Sequence, residues 1–413
     1  DKGRVTALDL ASTTAPFADL QNATIVNSAL SLPESVATSD RGGSLRAALN
    51  TLSQACRSSD PDDHLVIASE QRIGKPGSAQ EMQFGAAAGA LLLGRGKNLI
   101  ARFVGSTSLS MPFVDHFRPR TEKFDYNWEE RWIRDEGVSK IVPRAIADLL
   151  GKLDRTREDI RHFGLSGAAP GTDRRIAKQL ALAPETLIPD LQSQVGDSGA
   201  AQPYMLLIGA LERAQPGDLI VVASFAQGVE VVAFEMLQKP TATSRKGLAG
   251  ALAQRIPETA YLKMASFSGE MNLDWGMRAE DDAKTFFTQL YRSADQIFAF
   301  VGGRCEACGS VQFPRLPACV NCGERNTQKP YSLVDVPAKI QTFTADWLQY
   351  TPAPPLYVGL VQFEVGARVL MEIADVGPEG IAVGTPLEFA FRIKEQDPLR
   401  HFGRYFWKAT PRR

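Results

Sequence analysis

Short apolar runs and stretches of helical period alternate from the first residues onward. Residues 5–10 (Val-Thr-Ala-Leu-Asp-Leu) read as a core strand, Pro16 and Phe17 interrupt the run, and residues 20–30 repeat apolar positions every three to four (Ile25, Val26, Ala29), as one helix face does. Residues 36–39 form a second short strand. They lead through Asp40-Arg41-Gly42-Gly43 into residues 44–52, where Leu45, Ala48, Leu49 and Leu52 make one apolar face. A glycine-rich turn between a strand and a helix lets backbone come close to a ligand at the helix N-terminus. Residues 64–69 and 86–93 are further buried strands, because they are apolar without alternation.

The same order of signals returns downstream. Gly199 opens a helix running to Leu211 that contains Ala210-Leu211; Pro216-Gly217-Asp218 follows, then the apolar strand 219–224 ending Ala-Ser. Set beside residues 43–49 and 64–69, this is an internal duplication, although any two βαβ units share some of the pattern. Between the copies, residues 127–153 are largely helical with a break at Pro143, Thr156-Arg-Glu-Asp159 has the form of a helix N-cap, and residues 161–165 return to strand. Strands alternating with helices predict an α/β sandwich.

Beyond residue 240 the pattern changes. Residues 241–282 read as an irregular connector and 283–298 as a helix. Cys305-x-x-Cys308 and Cys319-x-x-Cys322 then stand ten residues apart, each followed by glycine (Gly309, Gly323) where the backbone must fold back. Two such knuckles supply the four thiolates of a closed tetrahedral zinc shell, which leaves no open position and so predicts a structural metal; the alternatives are paired disulfides or a redox C-x-x-C. Five short strands follow, at 338–346, 357–365, 368–373, 387–392 and 405–409, with turns at 352–355, 366 and 377–380. That spacing fits a small OB-type barrel.

Composition narrows the function classes. The chain has 413 residues, 44% of them hydrophobic, enough for two or three domains with ordinary cores. Its net charge of −1 carries no electrostatic footprint for nucleic acid or an anionic membrane. No apolar run is long enough to cross a bilayer, so a cytoplasmic protein is expected. Cys56 alone lies outside the knuckles, which argues against a disulfide-built secreted scaffold. The first residues already read as a core strand, so the sequence is expected to start inside a domain.

Two resemblances emerge from these residues. From Cys305 onward, the four cysteines, Ala338-Lys-Ile-Gln-Thr-Phe-Thr344, Val383-Gly-Thr385 and Tyr405-Phe-Trp-Lys408 resemble the zinc-ribbon plus OB-fold acyl-CoA-associated family, domain of unknown function 35. Residues 5–240 resemble the 3-hydroxy-3-methylglutaryl-CoA synthase branch of the thiolase superfamily, through Ala11-Ser-Thr-Thr14, Gly42-Gly-Ser-Leu-Arg46, Val195-Gly-Asp-Ser-Gly199 and Ala223-Ser-Phe-Ala-Gln-Gly228. Together they imply a thiolase-like five-layered αβαβα sandwich (1–240), a connector (241–299), a rubredoxin-like zinc ribbon (300–330) and an OB-fold barrel (331–413).

Members of the synthase branch make or break a carbon–carbon bond beside a thioester with a cysteine at a strand-to-helix turn, where the helix N-terminus favours thiolate. Here that position aligns with Asp40, the family histidine with Ala168 and the family asparagine with Asp197, while the catalytic glutamate would precede residue 1. Asp40 is expected to cap the helix that follows it. Cys56, near the far end of that helix, is a poor substitute nucleophile, and the histidines His64, His116, His162 and His401 share no metal-ligand spacing. The resemblance implies a catalytically degenerate subunit that binds acyl-CoA beside a thiolase partner in a hetero-oligomer, with structural zinc. The alternatives are an active acyl-CoA condensing enzyme and a nucleic-acid binder whose Phe343, Trp347, Phe402, Tyr405, Phe406 and Trp407 stack on bases; the neutral charge argues against the last.

Overall fold

The first apolar run is β1 (Val5–Ala11), paired in parallel with β2 (Ala37–Arg41) on one side and β3 (Asp63–Gln71) on the other. Parallel pairing needs crossovers, supplied in the chain by helices α1 (Asn22–Ala29) and α2 (Ala47–Arg57). β4 (Ala86–Leu93) returns antiparallel to β3, giving the order β2-β1-β3-β4. The second sheet uses β5 (Ala101–Ser110), then, after helix α3 (Ser139–Leu153), β6 (Ile160–Ser166), followed by helices α4 (Thr172–Gln179) and α5 (Gln202–Arg213) and strands β7 (Leu219–Phe225) and β8 (Gly228–Met236), ordered β5-β8-β7-β6. In each sheet a helix leads into a middle strand that is parallel to an earlier strand and antiparallel to the next: β1-β3-β4 is repeated as β6-β7-β8.

The structure, a computed structural model, describes residues 2–58, 62–240, 247–274, 283–351 and 353–413. It divides into two units, Asp1–Thr24 with Pro33–Ala253 and Ile25–Leu32 with Gln254–Arg413. In the first, Leu49 and Leu52 of α2 and Tyr204 and Leu207 of α5 fill the space between Val66 and Ala68 of one sheet and Ile220, Val222 and Val232 of the other. On the far face of the second sheet, Ile146 and Leu149 of α3 and Ile176 of α4 cover Phe163, Val221 and Val231. β7 is thus buried on both faces, which is why its sequence is apolar without alternation. Each fully buried aliphatic side chain contributes roughly 1.5–3 kcal/mol. The layers run sheet, helices, sheet, helices in a thiolase-like arrangement.

Several elements differ from the sequence expectation. Pro143 lies inside α3 and does not break it; the chain is irregular just upstream, in a π-helical turn at Ile133–Val138. The carbonyl of Ser139, which the missing N–H of Pro143 leaves free, accepts from Gln179 Nε2 at 3.1 Å. β5 and β8 have weak sequence signals because β5 is polar in half its positions and β8 carries Glu230 and Glu235. Residues 283–298 form two short helices, Phe287–Arg292 and Ala294–Ala299, rather than one. Of the expected connector, residues 241–246 and 275–282 lie outside the described residues; the remainder includes short helices Leu248–Ala253 and Tyr261–Phe267.

The second unit holds the ribbon strands β9 (Val301–Cys305), β10 (Val311–Gln312) and β11 (Gln328–Ser332) in the antiparallel order β10-β9-β11. Five further strands, β12 (Ala338–Asp346), β13 (Leu356–Phe363), β14 (Arg368–Ile373), β15 (Pro386–Asp397) and β16 (Phe402–Pro411), close into a barrel in the order β12-β13-β14-β16-β15. Ribbon and barrel share one core. Phe300, fully buried at the entry to β9, meets Phe313, Phe363, Phe389 and Phe406 edge-on at centroid distances of 5.0–5.8 Å.

Candidate functional site

The four cysteines converge. Their sulfurs all lie within 4.8 Å of one another, with Cys305–Cys322 at 3.8 Å and Cys308–Cys319 at 3.6 Å. A tetrahedron of sulfurs about 2.3 Å from zinc has edges of roughly 3.8 Å, so the donor set and its spacing fit that ion. Gly309 and Gly323, at φ +74° and +77°, make the turns that bring their amides back to the carbonyls of Cys305 and Cys319. The Ser310 hydroxyl, 3.2 Å from Cys319 Sγ, is the main cause that pulls that thiol down to about 5, with the Cys322 and Asn321 amides adding to it.

A second site lies in the first unit, a cleft of about 580 Å³ whose lining includes Leu45, Arg72, Asp115, His116, Ala168 and Asp197. Its size is that of a small-molecule pocket. Asp197 is placed there by a parallel bridge to Phe84: its N–H donates to Gln83 O at 2.7 Å, and its carbonyl accepts from Gly85 N at 3.0 Å. A Cβ on Gly85 would lie 1.8 Å from Val195 O, so only glycine permits this approach. The Asp197 carboxylate pairs with Arg72, whose guanidinium also reaches Asp125 at 2.9 Å and lies 3.6 Å over the Phe84 ring. The Arg72 side chain is only 5% exposed, and its Nε has no hydrogen-bond partner among the described residues.

Ala168 lies in the loop after β6 and presents only a methyl group to this cleft. Asp40, in contrast, is not a lining residue. Its register, Leu10↔Asp40 and Ala11↔Arg41, puts it inside β2. Its carboxylate accepts from Asn22 N (2.8 Å), Asn22 Nδ2 (2.9 Å) and Ala23 N (2.8 Å), so it caps the preceding helix α1, not the following one as the sequence suggested. The turn into α2 is instead Gly42-Gly43-Ser44. A Cβ on Gly42 would lie 2.8 Å from Ser12 O, and Gly43 has φ +85°. The Ser44 hydroxyl donates to Gln227 Oε1 at 3.0 Å, an amide oxygen and not a base.

None of the five cysteines lines the cleft. Cys56 sits in the last turn of α2, and burial pushes its thiol up to about 12. Three histidines are carboxylate-paired: His64 with Asp9 at 3.0 Å, His162 with Asp218 at 3.1 Å and His116 with Asp115 at 2.9 Å. Only His116 of these belongs to the cleft. The sequence places Asp115 and His116 side by side, but nothing in it indicates that they line the same cleft as Ala168 and Asp197. Of the aromatic residues considered for base stacking, Phe406 packs on Phe300, Tyr405 on Phe391 and Phe402 on Phe287, while Trp407 is buried with Nε1 donating to Phe298 O at 2.7 Å. Among the described residues no helix is long and apolar enough to cross a membrane.

The fold and the cysteine site together define a thiolase-fold protein joined to a zinc ribbon and barrel. Residues 292–328 match the family model of the ChsH2 rubredoxin-like zinc ribbon domain. A DUF35 domain-containing scaffold protein of Pyrococcus furiosus is 32% identical over 117 residues, 27% of this chain and 82% of that one. Through this region the chain belongs to the DUF35 family. Its amino-terminal region is similar to the hydroxymethylglutaryl-CoA synthase of Methanopyrus kandleri, 24% identical over 272 residues, 65% of this chain and 77% of that one. The fold matches the crystal structure of an HMG-CoA synthase complexed with CoA at TM-score 0.50 and 17% identity, covering 58% of this chain and 66% of that chain, a little under two thirds of its length.

Proposed function

We propose that this chain is a catalytically degenerate, synthase-like subunit that binds an acyl-CoA in the cleft beside a thiolase partner, and that the partner supplies the cysteine for making or breaking a carbon–carbon bond. The observation that carries this reading is a ligand-sized cleft in a thiolase-like fold with no thiol on its wall: the turn into α2 holds Gly42, Gly43 and Ser44, and Ala168, which the sequence resemblance aligns with the family histidine, offers the cleft only a methyl group. A nucleophile needs an activating base or a lowered pKa, and neither Ser44 nor Cys56 has one. The similar synthase structure holds CoA, and the DUF35 relatives are named scaffold proteins; both support a role in holding acyl-CoA within an assembly. In this reading the ribbon carries structural zinc and the chain works in the reducing cytoplasm, where its cysteines stay reduced and able to hold the metal. β2 is an unpaired edge of its sheet among the described residues, and such an edge favours pairing with a second thiolase-fold chain.

The test is purification of the untagged chain from its source with mass spectrometry of what accompanies it. A thiolase-family chain in stoichiometric amount is the expected result. A monodisperse monomer at micromolar concentration, in the presence of that thiolase, contradicts it. The alternative, an active condensing enzyme, draws support from the histidine in the cleft.

A further inference from the structure

The cleft, with no thiol among its lining residues, still carries a base. Asp115 is 4% exposed, and its two oxygens are divided: Oδ2 lies 2.9 Å from His116 Nδ1, and Oδ1 accepts from Gln227 Nε2. A carboxylate accepts and does not donate, so Nδ1 carries the proton of the neutral ring and Nε2 keeps its lone pair. No hydrogen bond among the described residues occupies Nε2. Gln227 is itself fixed by Ser44 at the head of α2, so the imidazole is aimed by a chain that begins at the turn where the family's nucleophile stands. Arg72, with an unpartnered Nε–H, lines the same cleft.

We infer that the His116–Asp115 pair is the proton-transfer centre of the cleft, acting on the carbon next to the carbonyl of a bound thioester. This rests on the reading that the cleft takes acyl-CoA. Nε2 accepts a C2 proton, the C–H electron pair becomes the carbon–carbon double bond of the enolate, and the carbonyl electron pair moves to oxygen. Return of the proton from the imidazolium to C2 restores the thioester, and nothing is oxidised or reduced. Such a centre prepares or quenches the enolate, while acyl transfer stays with a thiol elsewhere. His116 is the catalytic residue, and Asp115 a positioning residue.

The full chain is incubated with acetyl-CoA in heavy water, and deuterium at C2 is read by mass spectrometry, with acetyl-CoA binding measured by calorimetry on the same samples. The parent chain is expected to exchange at least about tenfold faster than buffer. His116→Gln keeps a donor for Asp115 but takes no proton, and should lower its rate by about 100-fold or to background, with binding retained. Asp115→Asn, which leaves His116 in place, should lower it by about tenfold. Binding without exchange in the parent, or a His116→Gln rate equal to the parent's, overturns the proton-transfer role alone. Failure of the parent to bind acetyl-CoA overturns the acyl-CoA reading, and this inference with it.

Discussion

The ribbon and the cleft are both sites, yet they are built in opposite ways. The four metal ligands come from residues 305–322, two local turns with glycines at φ near +75°, and their geometry is set by backbone within each knuckle. The cleft draws Arg72 from the end of β3, His116 from a two-residue strand paired with Tyr126–Asn127, Ala168 from beyond β6 and Asp197 from the approach to α5, so its geometry exists only when both sheets are assembled. A local site tolerates change elsewhere and fails when one ligand is lost. A distributed site fails with its supporting ion pairs.

The largest effect separates them most cleanly. Cys308→Ser should abolish stoichiometric metal, about one zinc per chain by elemental analysis, and unfold the ribbon, because structural metal binding and local folding are one equilibrium. The thermal transition of the first unit should stay in place. Metal retained with the thiol removed, or four thiols freely titratable in the native parent, would show that the four cysteines do not hold a structural zinc.

Arg72→Met is the counterpart in the cleft. It leaves Asp125 and Asp197 near each other without their shared cation, and removing one member of such a buried set costs roughly 3–5 kcal/mol. Denaturant unfolding should show that loss with the zinc content unchanged. A variant as stable as the parent would mean that the ion pairs do not hold the cleft together.

Asp397 tests the barrel side by pH. Burial opposes its ionisation, but the amides of Thr285 and Arg400 and the Arg400 guanidinium hold its carboxyl well below the usual carboxylate range. A folded-state pKa below the unfolded one means a contribution fully present above the ordinary carboxylate value, about pH 4, and lost as pH falls toward the folded value. Asp397→Asn should therefore lower the melting temperature at pH 7, by an amount that shrinks below pH 4. A gap that does not change with pH would rule out this ionisation as the source.

The smallest effect sharpens the account of the turn. Asp40→Ala removes the cap of α1 and should cost about 1 kcal/mol by chemical denaturation, with acetyl-CoA binding unchanged because Asp40 is outside the cleft lining. A loss of acetyl-CoA binding at constant stability would return Asp40 to the site.

What could be read in the sequence follows the same division. The metal site of the ribbon was legible, because cysteine spacing and the glycines state its geometry within eighteen residues, whereas its short strands β9, β10 and β11 carried no apolar run to mark them. The barrel strands and the core strands β1, β3, β4 and β7 were legible from their apolar runs. Asp40 was misread because periodicity ended the strand at the glycine-rich segment, whereas pairing with β1 carries β2 through Arg41. Pro143 was misread as a break because the acceptor it frees is satisfied by Gln179, about forty residues away in sequence. His116 was given no role for a related reason: its partner is its neighbour, but its cleft is assembled from segments far apart in sequence.

In the proposed function the first unit holds an acyl-CoA without being acylated by it. Intact-mass measurement of the full chain, after incubation with acetyl-CoA at a concentration shown by calorimetry to saturate it, tests this most directly. The unmodified mass with acetyl-CoA bound is the expected result; a covalent acetyl adduct on this chain would overturn the degenerate-subunit reading.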